Sequence, residues 1–426
     1  MKKHLIIGCG TAALSALKQI RKVNSEDEVT LVTMESHPPY SPMSLPYVIS
    51  ERVSRPDIQM VPDDFFSQMN ATLLKNRRVV QVDSKDQRVT YDNGKSDTYD
   101  RLLIATGSDP IVPHLLKAVG CFGFHVMDDC LNLIGQLKEK RRIVILGAGL
   151  VAMELAAALK EKSHDVTVIA PRDRILRRYF DTEASRRIIT LFAENGVAIH
   201  LNWGEATSAQ KSKNGIRVRF GQGEEVETDI LLACIGVTPR VSFLTDSGIA
   251  LNEGVPVDRQ MRTNVPTVFA AGDVAEAADF FTGREGLNPI LPNAALQGKI
   301  AGSTMVDKKV DYEGWLPMNT FNFFGHLAVS VGKAVPSEGE DVFMEKDGNG
   351  SGNSNWGSYR KIICKEGRLF GAAFIDTDVD VGVFQYVIRR KIDLGKHQGL
   401  LVKAPRETSL WLMHEAEKKE TISMEE

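Results

Sequence analysis

Two stretches of this chain repeat one spacing: Ile6-Ile7-Gly8-Cys9-Gly10-Thr11-Ala12-Ala13 near the start, and Ile145-Leu146-Gly147-Ala148-Gly149-Leu150-Val151-Ala152 further along. In each, an apolar run meets glycine, any residue, glycine, two more residues and a small one, and then a helix-forming stretch. The parts have separate physical jobs. The first glycine permits a tight turn, the second lets backbone come close to a pyrophosphate, and the small residue lets helix meet strand. The helix N-terminus presents free N–H groups to the anion. One such turn can serve as a strand-to-helix corner that binds nothing. Two complete units of this kind predict two parallel α/β sheets and two dinucleotide sites.

Around the first turn, His4 to Ile7 reads as a buried strand and Ala12 to Arg21 as a helix, with Gly8, Gly10, Thr11 and Ala12 at the phosphate end. Val29 to Thr33 forms the next strand, ending near Glu35, whose carboxylate is expected to hold ribose hydroxyls. Further on, "YDRLLIATGSDPIVP" is an apolar strand broken by Ala105, Thr106 and Gly107, small residues that let backbone run beside a nucleotide. "TNVPTVFAAGDVAE" is another, and it places Asp273 after Gly272, where a carboxylate can hold a sugar-alcohol hydroxyl.

Around the second turn, Arg141 and Arg142 lead into the strand, Gly147, Gly149, Leu150 and Val151 form the phosphate end, and the helix extends to about Lys162. The following strand, "DVTVIAP", ends at Ala170 where an acid would select NAD. Arg172 either faces a 2′-phosphate or is a solvated loop charge, so the choice between NAD and NADP stays open. Glu154, in the first turns of the helix, reads as a solvated carboxylate or as a working one.

Composition narrows the partners. A chain of 426 residues exceeds one ordinary core, and a formal charge of -3 gives no electrostatic reason to bind nucleic acid. Cysteines at 9, 121, 130, 234 and 364 include no C-x-x-C pair, which leaves zinc and iron-sulfur ligation without a framework and predicts free thiols in a cytoplasmic protein. No apolar run is long enough to span a membrane. The opening "MKKHLIIGCGTAALSAL" has the lysines and apolar run of a secretory signal, yet it flows into "KQIRKVNSEDEVTLVT", which reads as helix end, loop and strand.

The order of the four motifs, G-x-G-x-x-A, A-T-G, a second G-x-G and A-G-D, resembles the FAD-dependent pyridine nucleotide oxidoreductases, the family of disulfide reductases, NADH oxidases and ferredoxin reductases. The resemblance implies an α/β fold with two Rossmann-like dinucleotide-binding domains of the glutathione reductase type plus a C-terminal α+β interface domain. The expected boundaries are 1–113 and 243–314 for the FAD-binding domain, 114–242 for the NAD(P)-binding domain and 315–426 for the interface domain. It implies FAD in the first cradle and NAD(P) in the second, with Asp273 on the FAD ribitol. Ala294, Ala295 and Gln297 match the helix beside the isoalloxazine, and Glu154 matches the acid between flavin and nicotinamide. Gly236 and Pro239 match the return strand beside the nicotinamide. Phe324, eight residues before Gly332, is either a flavin contact or core. From Trp315 onward the chain reads as antiparallel strands, then helices, with a polar glycine-rich connection over 347–358. The C-terminal tail could pack on its own domain or dock a partner, and His414 reads as helix surface.

One position departs from the family. Relatives that reduce disulfides, peroxide or oxygen carry cysteine in a stretch like C-G-L-P-Y, and here Met43-Ser44-Leu45-Pro46-Tyr47 stands in its place. A thioether cannot form the thiolate that such chemistry needs. Electrons on the flavin must then leave it directly, to single-electron partners such as an iron-sulfur or haem protein, to quinones or to small oxidants. A flavin suits the first, which points to an iron-sulfur partner and an oligomer or hetero-complex. The stretch looks like the NAD-linked flavoprotein subunits of phenylglyoxylate dehydrogenase and of tungsten-type aldehyde oxidoreductases. Two other readings stand beside it: a free-standing ferredoxin or rubredoxin reductase, although the lysine of P-x-S-K is missing between Pro38 and Ser50, and a nucleotide-sensing flavoprotein without turnover.

Overall fold

The computed structural model describes residues 1–346 and 358–425; the stretch 347–357, expected to be a polar connection, lies outside the described residues. The chain divides into two compact units. The first comprises Met1–Ile111, His125–Cys130 and Val237–Trp315; the second comprises Val112–Phe124, Leu131–Gly236 and Leu316–Glu426. The sequence suggests 114–242 as one block, whereas His125–Cys130 packs with the first unit. The C-terminal strands, expected as a separate domain, group with the second.

In the first unit, Lys3–Ile7 lies at the centre of a five-stranded sheet whose order is Val268–Ala270, Arg101–Ile104, Lys3–Ile7, Glu28–Val32 and Thr72–Leu74. Every pairing in it is parallel. A strand covered on both faces needs a continuous apolar run, and Leu5, Ile6 and Ile7 are all buried. The helix Thr11–Val23 buries Ala12, Ala13, Leu14, Ala16, Leu17 and Ile20. It lies against the helix Leu291–Met305 at backbone distance: a Cβ on Gly298 would stand 2.1 Å from the Ala12 carbonyl oxygen, and one on Gly302 2.5 Å from that of Ala16. Only glycines opposite alanines permit that approach.

The second unit repeats the plan around Arg142–Leu146. Its parallel sheet has the order Ala198–His200, Asp165–Ile169, Arg142–Leu146, Ile230–Ala233 and Phe122–Gly123, and the helix Leu150–Glu161 follows its central strand. The same unit holds a five-stranded antiparallel sheet ordered Met318–Phe323, His326–Gly332, Arg368–Ile375, Tyr359–Lys365 and Asp341–Lys346. Asp181 ties this sheet to the helix Thr182–Glu194. Its carboxylate accepts from the Ala184 amide at 3.0 Å, from Tyr359 Oη at 2.7 Å and from buried Lys361 Nζ at 2.9 Å. The tail forms the helix Pro405–Glu425, where the Trp411 ring meets the His397 ring edge-on at 4.6 Å. Among the described residues no helix is long and apolar enough to cross a membrane.

Candidate functional site

The two glycine turns have one geometry. Gly8 has φ +117° and Gly147 φ +105°, in a region that only glycine occupies readily. A Cβ would stand 2.1 Å from the Ala105 carbonyl oxygen in the first case and 2.3 Å from that of Cys234 in the second. The Gly8 amide donates to Val32 O and the Gly147 amide to Ile169 O, each at 2.8 Å, which locks each turn to its neighbouring strand. Gly10 and Gly149 then precede their helices in extended conformation, with no side chain capping either N-terminus and no acidic residue in either first turn.

That arrangement fits a dinucleotide. An uncapped helix N-terminus leaves N–H groups without intrahelical partners, and a bound anion can satisfy them. The space where a Cβ of Gly10 or Gly149 would point is open for 4 Å. Thr11 Oγ1 lies 3.9 Å from Met60 Sδ, and Ala12 is buried with its carbonyl against Gly298 of the helix Leu291–Met305. In the second unit Leu150 is half-buried, whereas Val151 is exposed, as is Ile235 beside Gly236, whose φ is +134°.

Both acids of the first cradle are held by hydroxyl groups. Glu35 Oε2 accepts from Tyr40 Oη at 2.8 Å, and Asp273 Oδ2 accepts from Ser108 Oγ at 2.9 Å. Burial and the Glu35 charge push the Tyr40 phenol upward, so it remains a donor. Gly272 has φ +84°, and its amide donates to Gln297 Oε1 at 2.8 Å. Gln297 is 2% exposed and also meets Tyr312 Oη, which donates to Asn293 Oδ1. Gln297 therefore shapes the turn that carries Asp273. Ala294 is buried close to Gly272, and Ala295 is half-buried on the same helix.

The stretch Ala105-Thr106-Gly107 is gripped by Arg240. Its guanidinium donates to Thr106 O at 3.0 Å and Ser108 O at 3.2 Å and pairs with Asp109, while Thr106 Oγ1 donates to Arg240 O at 2.9 Å. Arg240, Tyr40, Ser108 and Tyr312 are not singled out by the sequence. Arg240 and Ser108 act through partners more than 130 residues away, whereas Tyr40 reaches Glu35 across only five.

In the second unit Ala170 is buried at the strand end and Arg172 is exposed on the following loop. Arg174 Nη1 donates to Thr182 Oγ1 at 3.1 Å. Glu154 is half-buried on the glycine helix, and burial alone raises its carboxyl to about 7. A carboxyl shifted by desolvation beside a ligand turn is a functional candidate on physical grounds. Phe324 sits at a hairpin corner with φ +51°, its ring edge-on to Phe192 at 5.1 Å.

Met43 lies in the short turn Pro42–Ser44 of the first unit and is 52% exposed. Burial pushes the thiols of Cys9, Cys121 and Cys364 up to about 12 and that of Cys130 to about 11. No cluster of metal-ligating side chains occurs among the described residues.

A family model described as pyridine nucleotide-disulphide oxidoreductase matches residues 2–298. The chain is 34% identical over 409 residues to the epsilon subunit of NADH-dependent phenylglyoxylate dehydrogenase from Aromatoleum evansii, covering 95% of each. It is 27% identical to the assimilatory nitrate reductase electron transfer subunit of Bacillus subtilis, covering 93% of this chain and 51% of that one. The water-forming NADH oxidase from Lactobacillus brevis, solved with NADH, matches the fold with a TM-score of 0.86 at 22% identity over 100% of both chains.

Proposed function

Because the chain belongs to the pyridine nucleotide-disulphide oxidoreductase family, and is thus an FAD- and NAD(P)-dependent oxidoreductase, we propose that it serves as the flavoprotein subunit of a larger redox enzyme. In this reading electrons move between NAD(P)(H) and an iron-sulfur protein or subunit in the cytoplasm, with no thiol relay. The observation that carries it is Met43, a thioether exposed in the stretch where disulfide-reducing relatives hold their cysteine. The raised thiols of Cys9, Cys121, Cys130 and Cys364 support it, since a thiol titrating near 11 or 12 holds little thiolate at neutral pH. The likeness to the phenylglyoxylate dehydrogenase subunit, over 95% of both chains, supports the subunit role.

When bound, FAD takes up a hydride as an electron pair and releases electrons one at a time. The protein's own part is binding and orientation. The free amides at Gly10-Thr11-Ala12 and Gly149-Leu150-Val151 hold the two pyrophosphates, while Glu35 and Asp273 accept hydrogen bonds from cofactor hydroxyls. Glu154, with its carboxyl near 7, is present in both protonation states at neutral pH. Its Oε atoms can therefore donate to an amide carbonyl or accept from an amide N–H, and so fix the angle of the nicotinamide.

The test is anaerobic reduction of the purified yellow protein by NADH, with NADPH in parallel, followed by reoxidation. Rapid bleaching, then fast reoxidation by a [2Fe–2S] ferredoxin and slow reoxidation by oxygen or coenzyme A disulfide, is the expected result. No bleaching would favour the nucleotide sensor, and fast disulfide turnover would overturn the thiol-free reading.

A further inference from the structure

The segment His125–Cys130 belongs to the first unit, although the stretches before and after it in the chain belong to the second. It reaches both acids of the first cradle, each through one buried hydroxyl. The Met127 amide donates to Tyr40 Oη at 2.7 Å, and Tyr40 Oη donates to Glu35 Oε2. His125 Nε2 lies 3.5 Å from Ser108 Oγ, whose proton goes to Asp273 Oδ2. A carboxylate only accepts, so each hydroxyl proton is committed to its acid and each hydroxyl oxygen is free to accept from the segment. Tyr40 and Ser108 are 8% and 2% exposed, so water competes little for either bond.

The segment is itself fastened. Asp129 Oδ2 accepts from the His125 and Val126 amides at 2.9 and 3.1 Å, and Asp128 Oδ1 meets His37 Nε2 at 2.7 Å. At its far end Cys130 Sγ lies 3.9 Å from the Leu45 carbonyl oxygen.

We propose that His125–Cys130 is a strap that retains FAD by positioning the carboxylates of Glu35 and Asp273 through Tyr40 and Ser108. The proposal rests on the reading that the first cradle holds FAD. Tying one oxygen of a carboxylate to a buried hydroxyl fixes its plane and leaves the other oxygen to accept from the cofactor. The ordering is then complete before binding, which raises affinity without any new contact. Tyr40, Ser108, His125 and the Met127 amide are positioning groups.

The experiment measures FAD affinity of the full-length apoprotein by quenching of flavin fluorescence, with the visible spectrum of the bound flavin and NAD(P)H affinity as parallel readouts. Tyr40→Phe and Ser108→Ala each remove one hydrogen bond to an ionised acid and are expected to weaken FAD about tenfold. Ser108→Thr keeps the hydroxyl and restores affinity to within about threefold of wild type on the same scale. Asp129→Ala touches neither acid, yet loosens the strap; it is expected to weaken FAD about fivefold and to leave NAD(P)H affinity unchanged. FAD affinity within twofold of wild type in Tyr40→Phe and Ser108→Ala would overturn the strap alone. So would loss of both nucleotides together in every variant, which would mark these groups as general supports of the fold. Wild-type protein with no affinity for FAD would overturn the cofactor reading, and the strap with it.

Discussion

Replacing Glu154 by glutamine isolates one electrostatic quantity. Burial on the glycine helix is the sole cause that raises its carboxyl from the ordinary 4.5 to about 7. An acid whose folded pKa lies above its unfolded value binds more proton in the native state between the two. Stability therefore falls as pH rises from about 4.5 to about 7, and the full loss is present above that window. A shift of this size corresponds to about 3 kcal/mol, and partial exposure of the side chain reduces the expected effect to about 2 kcal/mol. Glutamine has the same shape and no charge to desolvate. Urea unfolding of the dinucleotide-free protein is the assay, at about pH 5 and about pH 8.5. Glu154→Gln is expected to gain about 2 kcal/mol over wild type at the higher pH and only a fraction of that at the lower. An equal gain at both values, or none, would refute the argument. NAD(P)H-dependent flavin reduction should slow in the same variant, because an amide fixes its oxygen as acceptor and its nitrogen as donor, whereas a carboxyl can take either role at either atom.

Gly147→Ala would bring a Cβ to 2.3 Å from the Cys234 carbonyl oxygen at φ +105°; calorimetry is expected to find NAD(P)H affinity reduced at least about tenfold with FAD retained. Asp181→Asn removes the charge paired with buried Lys361 and is expected to lower stability at neutral pH by about 3 kcal/mol in denaturant titration. Burial works to raise the Asp181 carboxyl, but the Ala184 amide, Tyr359 and Lys361 outweigh it and hold the group below the usual range. The stability it contributes is present above the unfolded pKa and lost as pH falls through the lower folded one, so wild type and variant should converge in acid.

Much of the architecture was legible because it rests on local pattern. The apolar strands Lys3–Ile7 and Arg142–Leu146, their paired glycines and the alanine-rich helices declare two βαβ units, since a parallel strand covered on both faces must be apolar and a turn at φ above +100° must be glycine. Asp273 and Glu154 are candidates in the sequence because each follows a glycine motif, Glu154 by the resemblance to the family pattern. The close crossing of Thr11–Val23 on Leu291–Met305 was not legible, because Gly298 and Gly302 acquire meaning only opposite Ala12 and Ala16.

The amino-acid order by itself determined that this chain builds two glycine turns of one geometry and carries a thioether at position 43, because turn geometry and side-chain chemistry are properties of a few adjacent residues. Only the tertiary structure decided what holds the acids of the first turn. Ser108 meets Asp273 across 165 positions of sequence, and the Met127 amide meets Tyr40 across 87. A hydrogen bond depends on where folding brings two groups, and no spacing along the chain records that.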